Sequence, residues 1–371
     1  MDIILADENI PLVQEAFSSF GTVNTVNGRK LTNADLAGVT TLLVRSVTKI
    51  NAKLLANSSV SFVGTATIGF DHIDLDYLKE NNIGFANAPG SNATAAAEYV
   101  ISALLVLAEK QNFQLRDKTV GIIGCGNVGS RVLQKLEALG IRCLVHDPLL
   151  RKSDYVDLKT VQTADILTLH VPLEKNGDYP TFHLVNNKFL AKLKDNVILI
   201  NTSRGTVIDE SALSLALLAR PNMTVVLDVW KNEPNINKLL LQQVALATPH
   251  IAGYSLDGKI RGTEMLYTKI CEHFHQEPNW LPQLPPPPVN QLSFSNMIDD
   301  DVAVHIAVMA CYDIRRDDAA LRQMNTNFDK LRKNYPLRRE FNQLTIQLTA
   351  EKSILAKRLQ GLGFKIMINY S

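Results

Sequence analysis

The sequence predicts an α/β protein with two doubly wound parallel-sheet domains and a small α+β domain at the C-terminus. Two observations carry this prediction. Short apolar, β-branched runs alternate with helical patterns through residues 2–254, which is the order of a parallel sheet with crossover helices. A proline-rich segment at 276–289 then precedes a last part in which helical patterns accompany two strand-like runs. A length of 371 residues agrees with two or three domains.

The elements divide the chain into three predicted domains. The first comprises residues 1–93 and 255–284, the second 94–254 and the third 285–371. A long, largely apolar helix at 93–110 joins the first two domains, and so much apolar surface predicts that it is covered on several sides. The other predicted strands are 2–6, 41–44, 61–64, 120–123, 141–147, 164–171, 197–201, 224–228, 343–349 and 364–370, and the other helices are 11–20, 130–139, 186–193, 210–219, 255–274 and 299–309.

The strand at 120–123 is followed by Gly124, Gly126 and Gly129 in the spacing G-x-G-x-x-G. The first glycine permits a tight turn, the second lets the backbone approach a pyrophosphate, and the third lets the next helix pack closely on the strand. That helix begins near Asn127, and its N-terminal N–H groups favour an anion. Because a strand precedes the glycines and a helix follows them, they predict a Rossmann-type dinucleotide-binding domain.

Asp147 ends the next predicted strand. A carboxylate there can accept hydrogen bonds from both ribose hydroxyls of an adenosine, and its charge would repel a 2′-phosphate, which favours NAD over NADP. The alternative is a surface aspartate at a strand end. Arg151 and Lys152 lie slightly beyond, so minor tolerance of NADP stays open.

Composition excludes several classes of protein. A net charge of +1 gives no general attraction to nucleic acid or to membrane surfaces, and an apolar run at 99–108 is too short to span a bilayer. The first residues lack the basic and apolar regions of a secretory signal, so we expect a cytoplasmic protein. The four cysteines show no metal-ligand spacing, and we expect no metal.

Three chemically capable residues follow successive strands of the second domain: Arg204, Glu233 and His250. A dehydrogenase that oxidises a secondary alcohol needs a base, and histidine has the ordinary pKa nearest neutrality. A glutamate can orient that imidazole, and an arginine can bind a substrate carboxylate through a bidentate pair of hydrogen bonds. Each has an ordinary alternative, since His250 could cap a turn, Glu233 could be solvated, and Arg204 could bond the carbonyls of its own turn.

Four motifs then resemble the D-isomer-specific 2-hydroxyacid dehydrogenases: Gly-Cys-Gly-Asn-Val-Gly at 124–129, Asn-Thr-Ser-Arg-Gly at 201–205, Asp-Val-Trp-Lys-Asn-Glu-Pro at 228–234 and Thr-Pro-His-Ile-Ala-Gly at 248–253. The resemblance covers residues 1 to about 280 and implies a Rossmann NAD domain inserted in a flavodoxin-like substrate domain. Further stretches make the resemblance more specific, to the branch that oxidises 4-phospho-D-erythronate in vitamin B6 biosynthesis. They lie at 44–49, 253–263, 312–322, 328–335 and 338–340.

The resemblance also implies roles for single residues and a partner. His250 would be the acid/base, Glu233 its partner and Arg204 the residue that polarises the substrate. The third domain would pair two chains as a homodimer. Substrate contacts would come from Ser46, Thr67 and Tyr254. Contacts to NAD would come from Gly124, Gly126, Asn127, Val128, Gly129, Asp147, Val171 (through its backbone), Thr202, Ser203, Arg204, Asp228 and Gly253.

The substrate phosphate needs donors beyond those that hold the carboxylate, and Arg45, beside Ser46, is a candidate. The charge-dense runs at 315–318 and 330–333 could add an arginine to it, from either subunit. We also expect the first two domains to close around the substrate, since hydride transfer profits from exclusion of water. Two alternatives stay open: another member of the family, such as a 3-phosphoglycerate dehydrogenase, and an NAD-sensing binding protein without turnover.

Overall fold

The computed structural model describes residues 2–150, 152–323 and 327–369, and the chain forms two compact units. Unit 1 consists of Met1–Asn92 and Ser255–Pro285, and unit 2 of Ala93–Tyr254 and Pro286–Ser371. The chain thus enters unit 2 at residue 93 and returns to unit 1 at residue 255. Residues 285–371 were predicted as a third domain, and all of them but Pro285 cluster with 93–254 in unit 2.

Unit 1 is built on a five-stranded parallel sheet in the order β2-β1-β3-β4-β5, which is the flavodoxin-like order. Two of these strands, β2 and β5, were not among the predicted strands, because each lies at an edge of the sheet and is only partly buried. The strands are β1 (Asp2–Asp7), β2 (Gly21–Val26), β3 (Thr41–Val44), β4 (Phe62–Thr65) and β5 (Gly84–Asn87). The helices are α1 (Val13–Phe17), α2 (Ala52–Leu55), α3 (Leu75–Glu80) and, after unit 2 has intervened, α10 (Leu256–His273).

Apolar clusters cover the two faces of this sheet. Ile4 packs with Phe17 and Leu266 on one face, so that α1 and α10 share a core with the strands. Leu42 and Val63 point to the other face. Alternating side chains along buried strands supply both clusters, which is why short, wholly apolar runs mark strands such as β3.

The main sheet of unit 2 has six parallel strands in the order β11-β10-β9-β8-β6-β7. Every strand predicted between residues 120 and 228 is present, with ends shifted by at most two residues. The strands are β6 (Thr119–Ile123), β7 (Arg142–His146), β8 (Ile166–Leu169), β9 (Ile198–Asn201), β10 (Thr224–Leu227) and β11 (Leu246–Ala247). The helices are α4 (Ala93–Gln111), α5 (Asn127–Ala138), α6 (Leu158–Val161), α7 (Asn187–Leu190), α8 (Glu210–Ala219) and α9 (Lys238–Gln243).

The last part of the chain adds a three-stranded parallel sheet in the order β12-β13-β14. Helix α14 connects β13 to β14, and its apolar face packs beside α5. Of the predicted strand at 364–370, residue 370 lies outside the described residues. The elements are β12 (Gln291–Ser293), α11 (Asp300–Cys311), α12 (Ile314–Gln323), α13 (Phe328–Lys333), β13 (Thr345–Thr349), α14 (Ser353–Leu362) and β14 (Lys365–Asn369).

Helix α4 is buried on most of its circumference, including the polar Glu98 and Ser102. It contacts α5 on one side and α11 and α12 on the other, which explains its nearly continuous apolar sequence. The C-terminal part of the chain therefore shares one hydrophobic core with the six-stranded sheet of unit 2. Within the described ranges, no helix combines the length and the apolarity needed to cross a membrane.

Candidate active site

The strand order of the unit 2 sheet reverses between β6 and β8. The chain runs from β6 to β7 on one side and then crosses to the other, where β8 pairs with β6. In open parallel sheets, ligands bind in the crevice at the carboxyl ends of such strands, because the loops on either side diverge. The predicted glycine turn lies at this point, directly after β6.

Gly124 occupies a position that only glycine fits. Its φ is 85°, in the left-handed region, and its N–H donates to the His146 carbonyl at 2.9 Å. A Cβ at this position would lie 2.9 Å from the main chain of His170 and from Val171 Cγ1. Both the backbone conformation and the available space therefore require glycine, and Val171 lies against the turn.

Gly126 and Gly129 differ in what requires them. A Cβ on Gly129 would lie 2.0 Å from the Gly124 carbonyl oxygen, so the close packing of α5 requires glycine there. Around a Cβ on the exposed Gly126, no atom of the described residues lies within 4 Å. Packing does not require glycine at 126, and the open space before Asn127 and Val128, the first residues of α5, fits the approach of a pyrophosphate.

Asp147 follows β7 directly, and hydrogen bonds hold its carboxylate beside the glycine turn at 124–129. Its Oδ2 accepts from the Cys125 N–H at 2.8 Å, and its Oδ1 accepts from the Leu149 N–H at 3.1 Å. Because a carboxylate has about four acceptor positions, it keeps capacity for two ribose hydroxyls. Lys152 is exposed, and Arg151 lies outside the described residues.

The turn that follows β9 is held by Asn201. Its Oδ1 accepts from the N–H and the hydroxyl of Ser203, at 3.0 and 2.7 Å, and its Nδ2 donates to the Arg204 carbonyl at 3.0 Å. The Thr202 hydroxyl lies 3.2 Å from His170 Nδ1. Burial lowers the pKa of His170 to about 3, so this imidazole is neutral and supports the turn.

The half-buried guanidinium of Arg204 contacts its own turn. Its Nη1 donates to the Ser203 carbonyl at 2.8 Å, which is the ordinary alternative considered for this arginine. A guanidinium has five N–H donors, so this bond and a role in substrate binding are compatible.

His250 and Glu233 are in direct contact. His250 Nδ1 lies 2.7 Å from Glu233 Oε2, and Glu233 Oε1 accepts from the Trp230 N–H at 2.9 Å. His250 has a left-handed backbone, with φ of 57°, and its N–H donates to the Asp228 carbonyl at 2.7 Å. Glu233 therefore orients the imidazole and the backbone bond holds the residue in place, while 34% of the His250 side chain is exposed, so a substrate can reach it.

The charge state of Glu233 suits this contact. Burial acts to raise its pKa, but His250, the Trp230 N–H and Arg332 together hold the pKa below the ordinary value of 4.5. Glu233 is therefore ionised at neutral pH and stabilises a protonated imidazole.

Asp228 holds the loop that carries His250. Its Oδ1 accepts from the Thr248 hydroxyl at 2.6 Å and from the Ile251 N–H at 2.7 Å, and its Oδ2 accepts from the Ala252 N–H at 3.0 Å. Burial raises the pKa of Asp228, against these hydrogen bonds and His250. Gly253 continues the same loop. The predicted contact between Asp228 and NAD would come in addition to this structural role.

Tyr254 ends the loop. Its N–H donates to the Ile251 carbonyl at 2.8 Å, and its ring meets that of Tyr335 edge-on, with centroids 5.6 Å apart. Arg332 lies over the same ring, 5.6 Å from its centroid. Both Tyr335 and Arg332 come from the C-terminal part of unit 2.

The remaining predicted residues belong to unit 1. Arg45 and the exposed Ser46 follow β3, and Thr67 comes two residues after β4. The Thr67 hydroxyl donates to the Gly69 carbonyl at 2.9 Å and lies 2.8 Å from the Thr65 hydroxyl. Because β3 and β4 are paired, their carboxyl ends are neighbours, and these loops form one polar edge of unit 1.

Sequence reasoning missed several residues that hold the site. Thr248 bonds Asp228 and, at 2.7 Å, the Tyr99 hydroxyl of α4, while Trp230 Nε1 donates to the Thr248 carbonyl at 3.0 Å. Asn201 and Arg338 were also missed. Asn201, Trp230 and Thr248 lie inside quoted motifs and could have been singled out there. Arg338 also lies in a quoted stretch, but its contact with the Ala252 carbonyl depends on the fold.

Comparisons with known proteins agree with this geometry. Residues 97–252 match the family described as "D-isomer specific 2-hydroxyacid dehydrogenase, NAD binding domain", and residues 283–363 match a "Domain of unknown function (DUF3410)". The fold is similar to that of D-lactate dehydrogenase from Aquifex aeolicus, solved with NAD and lactic acid, at a TM-score of 0.63 and 26% identity over 74% of this chain and 96% of that one. NAD-bound 3-phosphoglycerate dehydrogenase from Entamoeba histolytica gives a TM-score of 0.65 and 24% identity over 76% and 99% of the two chains.

Similarity extends over nearly the whole chain in a narrower group. The chain is 44% identical to erythronate-4-phosphate dehydrogenase of Hahella chejuensis, over 98% of this chain and 99% of that protein. It is 47% identical to the protein of the same name from Cronobacter sakazakii, over 97% of each. The chain therefore belongs to the erythronate-4-phosphate dehydrogenase family, a branch of the NAD-dependent D-isomer-specific 2-hydroxyacid dehydrogenases.

Proposed function

We propose that the chain oxidises the C2 hydroxyl of 4-phospho-D-erythronate to 2-oxo-3-hydroxy-4-phosphobutanoate, a step of pyridoxine 5′-phosphate (vitamin B6) biosynthesis. The names of full-length relatives at 44–47% identity support the substrate. The observation that carries the chemistry is the 2.7 Å contact between His250 Nδ1 and Glu233 Oε2 at the carboxyl edge of the NAD-domain sheet. It gives this chain an oriented base beside a dinucleotide-binding turn.

His250 is the base in this proposal. Because Nδ1 donates to ionised Glu233, the proton-accepting nitrogen is Nε2, which takes the C2 hydroxyl proton. The C2–H bond breaks with its electron pair, and C2 becomes a carbonyl carbon. The chemistry that NAD supplies when bound is acceptance of that hydride. In the reverse direction His250 returns the proton to the carbonyl oxygen.

Glu233 and Arg204 support this proton transfer. The depressed pKa of Glu233 keeps a negative charge against the imidazolium that His250 becomes. We assign Arg204 to the substrate carboxylate and to polarisation of the C2 oxygen, because a guanidinium offers paired donors to planar oxyanions. Its attachment to the turn after β9 fixes the guanidinium before substrate arrives.

For NAD, we assign the pyrophosphate to the glycine turn and the N-terminus of α5, and the adenosine ribose to Asp147. The left-handed Gly124 and the open space at Gly126 support this assignment. We assign the nicotinamide end to the loops that follow β8, β9, β10 and β11. These loops contain Val171, Thr202, Ser203, Asp228 and Gly253.

We assign substrate binding to Ser46, Thr67 and Tyr254, with Arg45 a donor to the phosphate. The exposed Ser46 and the Thr67 hydroxyl support this, since hydroxyls and backbone N–H groups at strand ends bind oxyanions. Replacing Arg45 by alanine should raise the KM for the phosphorylated substrate, and an unchanged KM would discard that assignment.

We infer a cytoplasmic homodimer that pairs through residues 285–371. Large apolar side chains on this part of the chain are exposed, among them Met297 at 92% and Ile354 at 70%. Exposed apolar surface of this kind is typical of protein interfaces. Light scattering on the purified protein should give twice the mass of the 41.1 kDa chain, and a monomer would contradict the pairing.

A spectrophotometric assay tests the proposed function. With NAD, 4-phosphoerythronate should produce NADH at a kcat/KM far above that for 3-phosphoglycerate. Preference for 3-phosphoglycerate would indicate the related dehydrogenase. Binding of NAD without NADH production from either substrate would indicate a sensor protein.

A further inference from the structure

Arg332, on the C-terminal helix α13, lies beside the loop that carries His250. Its guanidinium carbon is 5.6 Å from the centroid of the Tyr254 ring and 6.0 Å from that of Phe328. Phe328 is fully buried, and Tyr254 is braced by the perpendicular ring of Tyr335. These rings fix the position of the guanidinium, so little conformational freedom remains for it to lose on binding a ligand.

Arg332 also interacts electrostatically with Glu233 of the active site. The pKa of Arg332 is raised despite its burial, chiefly by Tyr254 and Glu233 and also by a hydrogen bond with Tyr254. In return, Arg332 helps to lower the pKa of Glu233. The Arg332 guanidinium and the Glu233–His250 pair therefore influence each other electrostatically, and the Tyr254 ring lies beside the guanidinium.

One donor of this guanidinium has no acceptor. The Nε of Arg332 is buried and has no hydrogen-bond partner among the described residues. Arg338 and Arg358 also have a partnerless Nε, and all three guanidinium groups bind protein oxygens through their other nitrogens: Arg338 that of Ala252, Arg358 that of Asp301 and Arg332 that of Tyr254. An unsatisfied buried N–H is unfavourable and is commonly completed by a ligand or by water.

Two other arginines of the C-terminal segment are ion-paired to carboxylates. Arg316 contacts Asp317 at 2.9 Å, and Arg322 contacts Asp318 at 3.0 Å. Aromatic rings hold the Arg332 guanidinium in place, while the carboxylates of Glu233 and Asp329 act on it electrostatically and raise its pKa. A cation held in this way, near a site that must take up a phosphorylated acid, is suited to bind an anion.

We propose that Arg332, together with the Tyr254 hydroxyl, forms a binding subsite for the phosphate of the substrate. This inference rests on the proposed function. The substrate has two anionic ends, and Arg204 after β9 serves the carboxylate beside the reacting carbon. The phosphate lies two carbons beyond C2 and needs separate donors close to His250. Arg332 meets this need because Tyr254, which it contacts, is only four residues from His250. The subsite makes the C-terminal segment part of substrate recognition.

The experiment compares Arg332→Met with Arg332→Lys and the control Lys333→Gln, which removes an exposed cation from the same helix. Binding of 4-phosphoerythronate and of unphosphorylated erythronate to the NADH complex is measured by calorimetry, and KM and kcat are measured in parallel. We expect Arg332→Met to weaken binding and raise KM for the phosphorylated acid about 10- to 100-fold, the loss of a charge-assisted contact. Binding of erythronate should not change, Arg332→Lys should recover part of the loss, and Lys333→Gln should match the wild type.

Equal losses for both acids would overturn the proposal and make Arg332 a positioning residue for Glu233. In that case the pH profile of kcat would also shift. Wild-type binding of 4-phosphoerythronate by Arg332→Met would overturn it as well. Failure of the proposed function looks different, because the wild-type protein itself would then neither bind nor oxidise 4-phosphoerythronate. Thermal unfolding of each variant separates loss of binding from loss of the fold.

Discussion

Arg338 donates a hydrogen bond from Nη1 to the main-chain oxygen of Ala252, 3.0 Å away, and so ties the C-terminal segment to the loop that carries His250. Its Nη2 donates to the Ala95 carbonyl at the start of α4, at 2.6 Å. The guanidinium also lies 3.7 Å from the centroid of the buried Tyr312 ring. One fully buried side chain thus joins three parts of unit 2.

Replacing Arg338 by methionine should therefore destabilise the protein. Two buried carbonyls lose a donor, and each such loss costs about 1–3 kcal/mol, so we expect the free energy of unfolding to fall by about 2–6 kcal/mol. Urea denaturation measures it. The matched control is Arg315→Gln, which removes an exposed cation paired with Asp313 and should change stability by less than about 1 kcal/mol. Equal stabilities of the two variants would contradict the role of Arg338.

Glu98 should make stability depend on pH. Burial raises its pKa from 4.5 to about 8, although Lys135 and Arg338 act against this, and its Oε1 accepts from the Phe341 N–H. The folded protein therefore keeps a proton that the unfolded chain releases above pH 4.5. Between pH 4.5 and about 8, stability should fall with rising pH by at most roughly 1.4 kcal/mol per unit.

The test for Glu98 is the glutamine variant, which keeps an acceptor for Phe341 but cannot ionise. Chemical denaturation of both proteins across this pH range gives the difference in unfolding free energy. In this difference, titration of groups that do not interact with Glu98 cancels, whereas that of its neighbour Lys135 contributes. The difference should grow in favour of the variant as pH rises. Parallel curves would mean that Glu98 does not change its protonation on unfolding.

The two glycines at the start of α5 should respond differently to alanine. At Gly129 the new Cβ would lie 2.0 Å from the Gly124 carbonyl oxygen, so Gly129→Ala should lose about 1–3 kcal/mol or more of stability. Gly126→Ala meets no described atom within 4 Å and should leave stability within about 0.5 kcal/mol, while raising the KM for NAD. Unchanged NAD binding in Gly126→Ala would argue against a pyrophosphate at this turn.

Asp147→Ser should weaken the preference for NAD over NADP. The variant loses the charge that repels a 2′-phosphate and the two oxygens that would face the ribose, so the ratio of kcat/KM values should fall about tenfold or more. Asp154→Ser removes an exposed carboxylate a few residues on and should keep the wild-type ratio. An unchanged ratio in Asp147→Ser would place cofactor discrimination elsewhere.

The sequence was sufficient to predict those elements that function and fold mark with a local residue pattern. The glycine turn, the helix at 210–219 and the buried strands β6, β8, β9 and β10 were all predictable, because wholly apolar β-branched runs mark strands covered on both faces. Edge strands were not. In β2, apolar and polar residues are mixed without regular alternation and none is buried, and β12 has only three residues, so neither strand has a clear sequence pattern.

The supports of the site depend on contacts distant in sequence. Arg338 bonds Ala252 and Ala95, which lie 86 and 243 residues away, and no spacing rule indicates such partners. The contact between His250 and Glu233 was predictable in outline, because loops at the carboxyl ends of parallel strands converge. Its 2.7 Å distance depends on the loop held by Asp228 and Thr248, which only the fold reveals.

The most direct test of the account compares wild-type protein with His250→Asn in the oxidation of 4-phosphoerythronate by NAD, with NADH binding measured on both by fluorescence. Loss of the base should lower kcat/KM about 10²- to 10⁴-fold, while the Kd for NADH stays within about twofold, because the imidazole serves proton transfer and the glycine turn serves the dinucleotide. Wild-type turnover by His250→Asn would contradict the central claim that the imidazole held by Glu233 is the base.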